Sequence, residues 1–149
     1  MIAESTSTAN TLRIERRLTA SPARVFAAWT NVEQVKRWAA PGPMEVAAAE
    51  VDLKVGGRYR IAMTRPDGTT HVAVGEYREV VPNARLVYTW RWESWRESHR
   101  DSIVTVEFNA DGGGTTLRLT HSELPDENAV TQHTAGWEGS LAKFVPLVS

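Results

Sequence analysis

The chain has 149 residues, 42% of them hydrophobic and 23% charged, with a net charge of -1 and no cysteine. That length suits one domain with a real core, and a near-neutral surface offers no field to draw nucleic acid or an anionic membrane. Without cysteine there are no disulfides, thiolate metal sites or cysteine nucleophiles, and the reducing cytoplasm is the expected location.

Residues 1–10, MIAESTSTAN, are small and polar and lack the apolar stretch of a signal peptide. They are expected to form a disordered tail ahead of a single domain over 11–149. No apolar run approaches the roughly 20 residues of a membrane-spanning helix. From Thr11 to Thr19, Leu12, Ile14, Arg16 and Leu18 keep one parity while the other is mostly charged or polar, which predicts a strand. Ser21 then caps a helix that opens on Pro22, where a missing N–H costs nothing, with Val25, Phe26 and Trp29 as its buried stripe. A second cap, Asn31, starts another short helix carrying Val32, Val35 and Trp38, and Pro41-Gly42-Pro43 ends the pair.

Six strand-like runs follow, roughly 44–53, 58–65, 70–81, 85–92, 102–109 and 115–121, separated by turn residues such as Asp67-Gly68 and the three glycines 112–114. Strand parity turns Tyr59, Ile61 and Met63 to one face, together with Leu86, Tyr88, Trp90 and Trp92, then Val104, Val106 and Phe108, and finally Leu117, Leu119 and His121. The segment 126–145 repeats apolar residues at steps of three and four, including Val130, Trp137, Leu141 and Phe144, and is a one-sided helix capped by Asp126. Pro146 cannot donate to the carbonyl of Ala142, so a kink or an end is expected there. The order is β-α-α-β6-α, an α+β fold in which about seven antiparallel strands curve around the last helix.

VFAAWTNVEQVKRWAAP near the start, VDLKVGGRYRIAM, GEYREVVPNARLVYTWRW, VTVEF followed by GGGTTLRLTH, and GWEGSLAKF on the last helix occur in that order. Together, from about Thr11 to Phe144, they resemble the START-like (SRPBCC) superfamily, and within it the proteins related to the activator of heat-shock protein 90 ATPase. The resemblance implies a helix-grip fold, a hydrophobic tunnel and frequent homodimers. It implies no single activity, since such folds host carriers, receptors, cyclases and chaperone regulators. The tryptophans on connections between elements also suggest a homodimer, and the excess of arginine over lysine fits a bacterial source.

The inward rings predict a cavity suited to a flat, apolar ligand, such as an aromatic or polyketide-like molecule. The expected contacts are Tyr59, Ile61, Met63, Tyr88, Trp90, Trp92, Val104, Val106, Leu119, His121, Trp137 and Leu141, although the same stripe would serve simply to fill a core. His121 is the one weak candidate for acid-base chemistry, because an imidazole titrates near neutrality, and a structural histidine is the commoner reading. Glu107 points to solvent by parity, and Glu76 or Arg60 would reach the tunnel only past a bulge.

No nucleophile elbow, phosphate loop or dinucleotide pattern is present, so no cofactor is expected. His71, His99, His121 and His133 are scattered without the close spacing of zinc enzymes, so no metal site is expected unless the fold brings them together. The basic residues Arg13, Arg16, Arg17, Arg58, Arg60 and Arg78 are interspersed with acids, the composition of a wet sheet face and not of a nucleic-acid stripe. The connection 93–100, ESWRESHR, reads as a hairpin loop with one tryptophan packed down, or as a lid over the tunnel.

Three functions follow as expectations. The first is binding or carriage of a small apolar molecule, the second a cyclase or hydrolase using His121 in the same cavity. The third is a chaperone-linked interaction protein, disfavoured because only the helix-grip unit is evident.

Overall fold

A computed structural model describes residues 10–96 and 99–149. Its elements are β1 (Leu12–Leu18), α1 (Pro22–Thr30), α2 (Val32–Trp38), β2 (Glu45–Val51), β3 (Arg58–Thr64), β4 (Thr70–Val81), β5 (Arg85–Trp92), β6 (Ser102–Asp111), β7 (Gly114–Ser122) and α3 (Glu127–Leu147). The strands form one antiparallel sheet in the order β1-β7-β6-β5-β4-β3-β2, so the first strand closes beside the last and the rest meander. This is the helix-grip arrangement, with α3 lying across the inner face.

Local chemistry accounts for the element boundaries. The Ser21 hydroxyl accepts from the Arg24 N–H and Pro22 occupies the first turn of α1. Oδ1 of Asn31 accepts from Glu33 and Gln34, which lets the chain end α1 and begin α2 in a single residue. Gly112 and Gly113 sit at φ 57° and 89°, the two positive angles that a tight β6–β7 hairpin needs. Asp126 caps α3 through Ala129 N–H at 2.8 Å.

The helix ends at Leu147, one residue past Pro146, close to where the proline was expected to kink or end it. Pro146 falls in the last turn, where only the Ala142 carbonyl loses its donor, and Nη2 of Arg24 caps the free Leu147 carbonyl at 2.9 Å. Of the expected tail, residues 1–9 lie outside the described residues, whereas Asn10 is held by Leu124 N–H on its carbonyl at 3.2 Å.

Inside the sheet, one end is solid and the other is not. α1 packs on β6 and β7. Phe26 meets Phe108 edge-on at 5.3 Å and Trp29 meets Phe144 at 5.0 Å, filling the space under the C-terminal half of α3. Val104, Val106, Leu119 and Leu141 are fully buried in this packed half.

Candidate functional site

The unfilled half lies between the inner faces of β3, β4 and β5, α2, and the stretch 132–140 of α3. It is a cavity of about 580 Å³. Its walls are rings and aliphatics: Tyr59, Ile61 and Met63 from β3, Tyr77 from β4, Tyr88, Trp90 and Trp92 from β5, and Trp137 from α3. Arg65, Ser94 and Gln132, all exposed, stand at its rim, and no carboxylate lines it among the described residues.

Seven of the twelve contacts expected from sequence thus line the cavity. Val104, Val106, Leu119, His121 and Leu141 do not: they lie in the solid core or behind the wall. Parity identifies the inner face of a strand, but not which part of that face is covered by another element. Trp29, Trp38, Tyr77 and His133 were missed as wall residues. Tyr77 was legible in principle, since it shares its parity with Ala73, and His133 lies one helical turn before Trp137.

The β4–β5 ladder has an instructive gap. Ala73 pairs with Trp92 and Val74 with Arg91, and pairing resumes only at Tyr77 and Tyr88. Side chains fill the interruption: the Tyr59 hydroxyl donates to the Thr89 carbonyl at 2.6 Å, and Thr89 Oγ1 accepts from Glu76 N–H at 2.9 Å. Gly75 makes this possible, because a Cβ there would lie 1.9 Å from the Thr89 oxygen and 2.6 Å from the Tyr59 ring. The bulge in β4 falls after Tyr77, too late to turn Glu76 inward. Arg60 pairs outside with Glu93 at 2.9 Å, and Glu107 with Arg85 at 3.1 Å.

Behind the wall runs a hydrogen-bonded chain. Nε1 of Trp137 donates to Nδ1 of His121 at 3.0 Å, His121 Nε2 lies 2.8 Å from Ser102 Oγ, and Ser102 donates to the Trp90 carbonyl at 2.7 Å. This order places the His121 proton on Nε2, with both nitrogens used. A parallel pair holds His133: Trp92 Nε1 donates to its Nε2 at 3.0 Å, and Nδ1 lies 2.7 Å from the Ala129 carbonyl. The two imidazoles, distant in sequence, sit 5.2 Å apart. Burial, and then the neighbouring His133, push His121 well below the ordinary imidazole value; burial also lowers His133, against the backbone bond to Ala129. Both rings are neutral scaffolding at pH 7. Among the described residues no three of His, Asp and Glu gather to hold a metal.

In the 93–100 connection, Arg91 reaches the carbonyls of His99 at 3.0 Å and Arg96 at 2.6 Å and the carboxylate of Asp101 at 2.8 Å. Trp95 stacks on His99 and touches His133 edge-on at 6.3 Å. Its described part is therefore tied down, with Ser94 at the cavity rim; residues 97 and 98 lie outside the described residues. The tryptophans also give no argument for a dimer, because four are buried and Trp92 and Trp95 are half-buried. No helix among the described residues is long and apolar enough to cross a membrane.

A sheet gripping a C-terminal helix around a ring-lined hollow defines the START-like class of domain. Residues 19–149 match the family model for Activator of Hsp90 ATPase homolog 1-like protein, and the chain belongs to that family. A solved protein from Chromobacterium violaceum is 30% identical, with a TM-score of 0.85 over 93% of this chain and 96% of that one. The AHSA1 protein from Silicibacter pomeroyi is 26% identical, with a TM-score of 0.82 over 91% and 95%. The human Activator of 90 kDa heat shock protein ATPase homolog 1 is 27% identical over 120 residues, 79% of this chain and 30% of that protein. The matched stretch is thus about a third of that curated relative.

Proposed function

We propose that the protein binds or carries a small apolar, ring-containing molecule in the cavity between β3–β5 and α3. The observation that carries this reading is a void of about 580 Å³ walled by aromatic side chains. The hollow opens to solvent past Arg65, Ser94 and Gln132, and its volume lies in the range of small-molecule sites. The walls supply contact area, and the contacts that matter are Tyr59, Met63, Tyr88, Trp90, Trp92 and Trp137.

The cyclase or hydrolase reading is not favoured: His121 stands behind the wall with both nitrogens engaged, and His133, which does line the cavity, is equally occupied. The chaperone-linked reading rests on the description of the family and on the names of relatives, of which the human protein is matched over 30% of its length.

Intrinsic tryptophan fluorescence titrated with aromatic hydrocarbons, phenols and fatty acids tests the proposal. Saturable quenching by a ring-containing class, weakened in Trp137→Phe, is the expected result. Silence across the panel from a cooperatively melting protein would overturn it and turn attention to a protein partner.

A further inference from the structure

If the cavity is a binding site, its unused polar groups indicate what it reads. Most polar atoms around it are already engaged. Trp29 Nε1 donates to the Tyr88 hydroxyl at 3.2 Å, Trp38 Nε1 to the Ala28 carbonyl at 3.0 Å, and Ser140 Oγ to the Ala39 carbonyl at 2.8 Å. The indoles of Trp92 and Trp137 are spent on the two histidines.

The exception is Nε1 of Trp90, which has no hydrogen-bond partner among the described residues; the ring lines the cavity while the nitrogen itself has less than 1 Å² accessible, so an acceptor in the cavity meets it through a small turn of the ring. An indole nitrogen is a donor only, and an unsatisfied buried donor is a standing cost that an arriving acceptor removes. Its neighbours on the wall have the same polarity. Tyr88, two residues earlier on the same face of β5, receives the Trp29 N–H on its oxygen and so has its own proton left to give. Tyr77 stands directly across from Tyr88 in the ladder and also lines the cavity. Burial raises both phenols well above their ordinary value, so they remain protonated donors at any physiological pH.

We propose that the cavity selects aromatic molecules bearing a hydrogen-bond-accepting oxygen, a ketone or ester carbonyl seated against Trp90 and its tyrosine neighbours, over the equivalent bare hydrocarbons. This rests on the cavity being a binding site and adds its chemical preference. The acceptor satisfies the orphaned indole, whereas a hydrocarbon of the same shape leaves it unpaired.

The test compares 2-acetylnaphthalene with 2-isopropenylnaphthalene, which replaces the carbonyl oxygen by a methylene group. The ketone is expected to bind about tenfold more tightly, the effect of roughly one satisfied buried donor. Trp90→Phe keeps a ring and removes the donor, so it should cut that preference to a few-fold or less. In wild-type protein labelled with nitrogen-15, the Trp90 indole N–H resonance should move downfield on adding the ketone and not the alkene; this readout does not depend on the variant folding. Equal affinity for the two probes, or a preference unchanged in Trp90→Phe with a static indole resonance, would overturn the inference while leaving the binding function intact. Failure of both probes to bind wild type would overturn the preference, and silence of the whole aromatic, phenol and fatty-acid panel would remove the binding function with it.

Discussion

Nε1 of Trp137 donates to Nδ1 of His121 at 3.0 Å, and this bond between α3 and β7 fixes the tautomer of a fully buried ring. His121 Nε2 must then carry the proton toward Ser102, which ties β6 into the same chain. The ring is a brace among α3, β7 and β6. His121→Ala would leave a cavity and orphan the Trp137 N–H, so it should destabilise the fold by about 2–4 kcal/mol. Urea unfolding measures this, and His121→Gln, which keeps an acceptor, should cost less. An unaltered midpoint in the alanine variant would contradict the brace.

The same geometry predicts how stability follows pH. Both His121 and His133 have folded-state values depressed by burial, so the unfolded chain binds protons that the folded one resists. Their contribution is complete above the ordinary imidazole value of about 6.5 and is lost progressively as pH falls below it, levelling off beneath the folded values. Melting temperature should therefore drop between pH 7.5 and 5. The drop should be smaller in His133→Gln, and an equal drop in that variant would show that His133 takes no part in it and leave the effect to His121 or to carboxylates.

The sheet was legible in the sequence because its signals are local. Ser21-Pro22, Asn31 and the paired glycines act within a few residues, and strand alternation survives wherever one face is buried. Filling is different, since it depends on where distant elements dock. α1 covers the inner faces of β6 and β7, so Val104, Val106 and Leu119 end in solid packing, while Ile61 and Met63, also aliphatic and inward-facing, border open space. His121 illustrates the same limit: its parity shows that it is inside, but only the fold brings Trp137 and Ser102 to its two nitrogens.

Gly75 tests the interrupted ladder. A methyl group there would collide with the Thr89 carbonyl oxygen and with the Tyr59 ring that crosses above it. Neither obstacle is a free side-chain end, because Tyr59 is itself anchored on the Thr89 carbonyl at 2.6 Å. Gly75→Ala should therefore destabilise the protein by about 2–3 kcal/mol, at the upper end for a single added methyl. Tyr59→Phe, which releases the ring without changing its size, should recover part of that loss in the double variant. Strictly additive effects in a double-mutant cycle would show that the two residues do not share the gap.

Two glycines one helical turn apart on α3 make opposite predictions. Gly139 packs on the α2–β2 connection, and a Cβ there would lie 2.9 Å from Pro41 Cβ and 3.2 Å from Gly42 N. That contact sits beside Lys143 Nζ, which holds the carbonyls of Ala40 at 2.6 Å and Met44 at 3.0 Å, so the loop has little room to retreat. Gly139→Ala should cost about 1–3 kcal/mol. Gly136 lines the cavity, and a Cβ there meets nothing within 4 Å. Gly136→Ala should raise stability by about 0.5–1 kcal/mol, since alanine loses less backbone freedom in a helix. Gly136→Leu adds a branched side chain at the wall, so it should keep the thermal melt at or above wild type while abolishing fluorescence quenching by aromatic probes. Binding that survives Gly136→Leu would place the ligand elsewhere on the protein, and destabilisation by Gly136→Ala would mean that the space beside this turn of α3 is already filled.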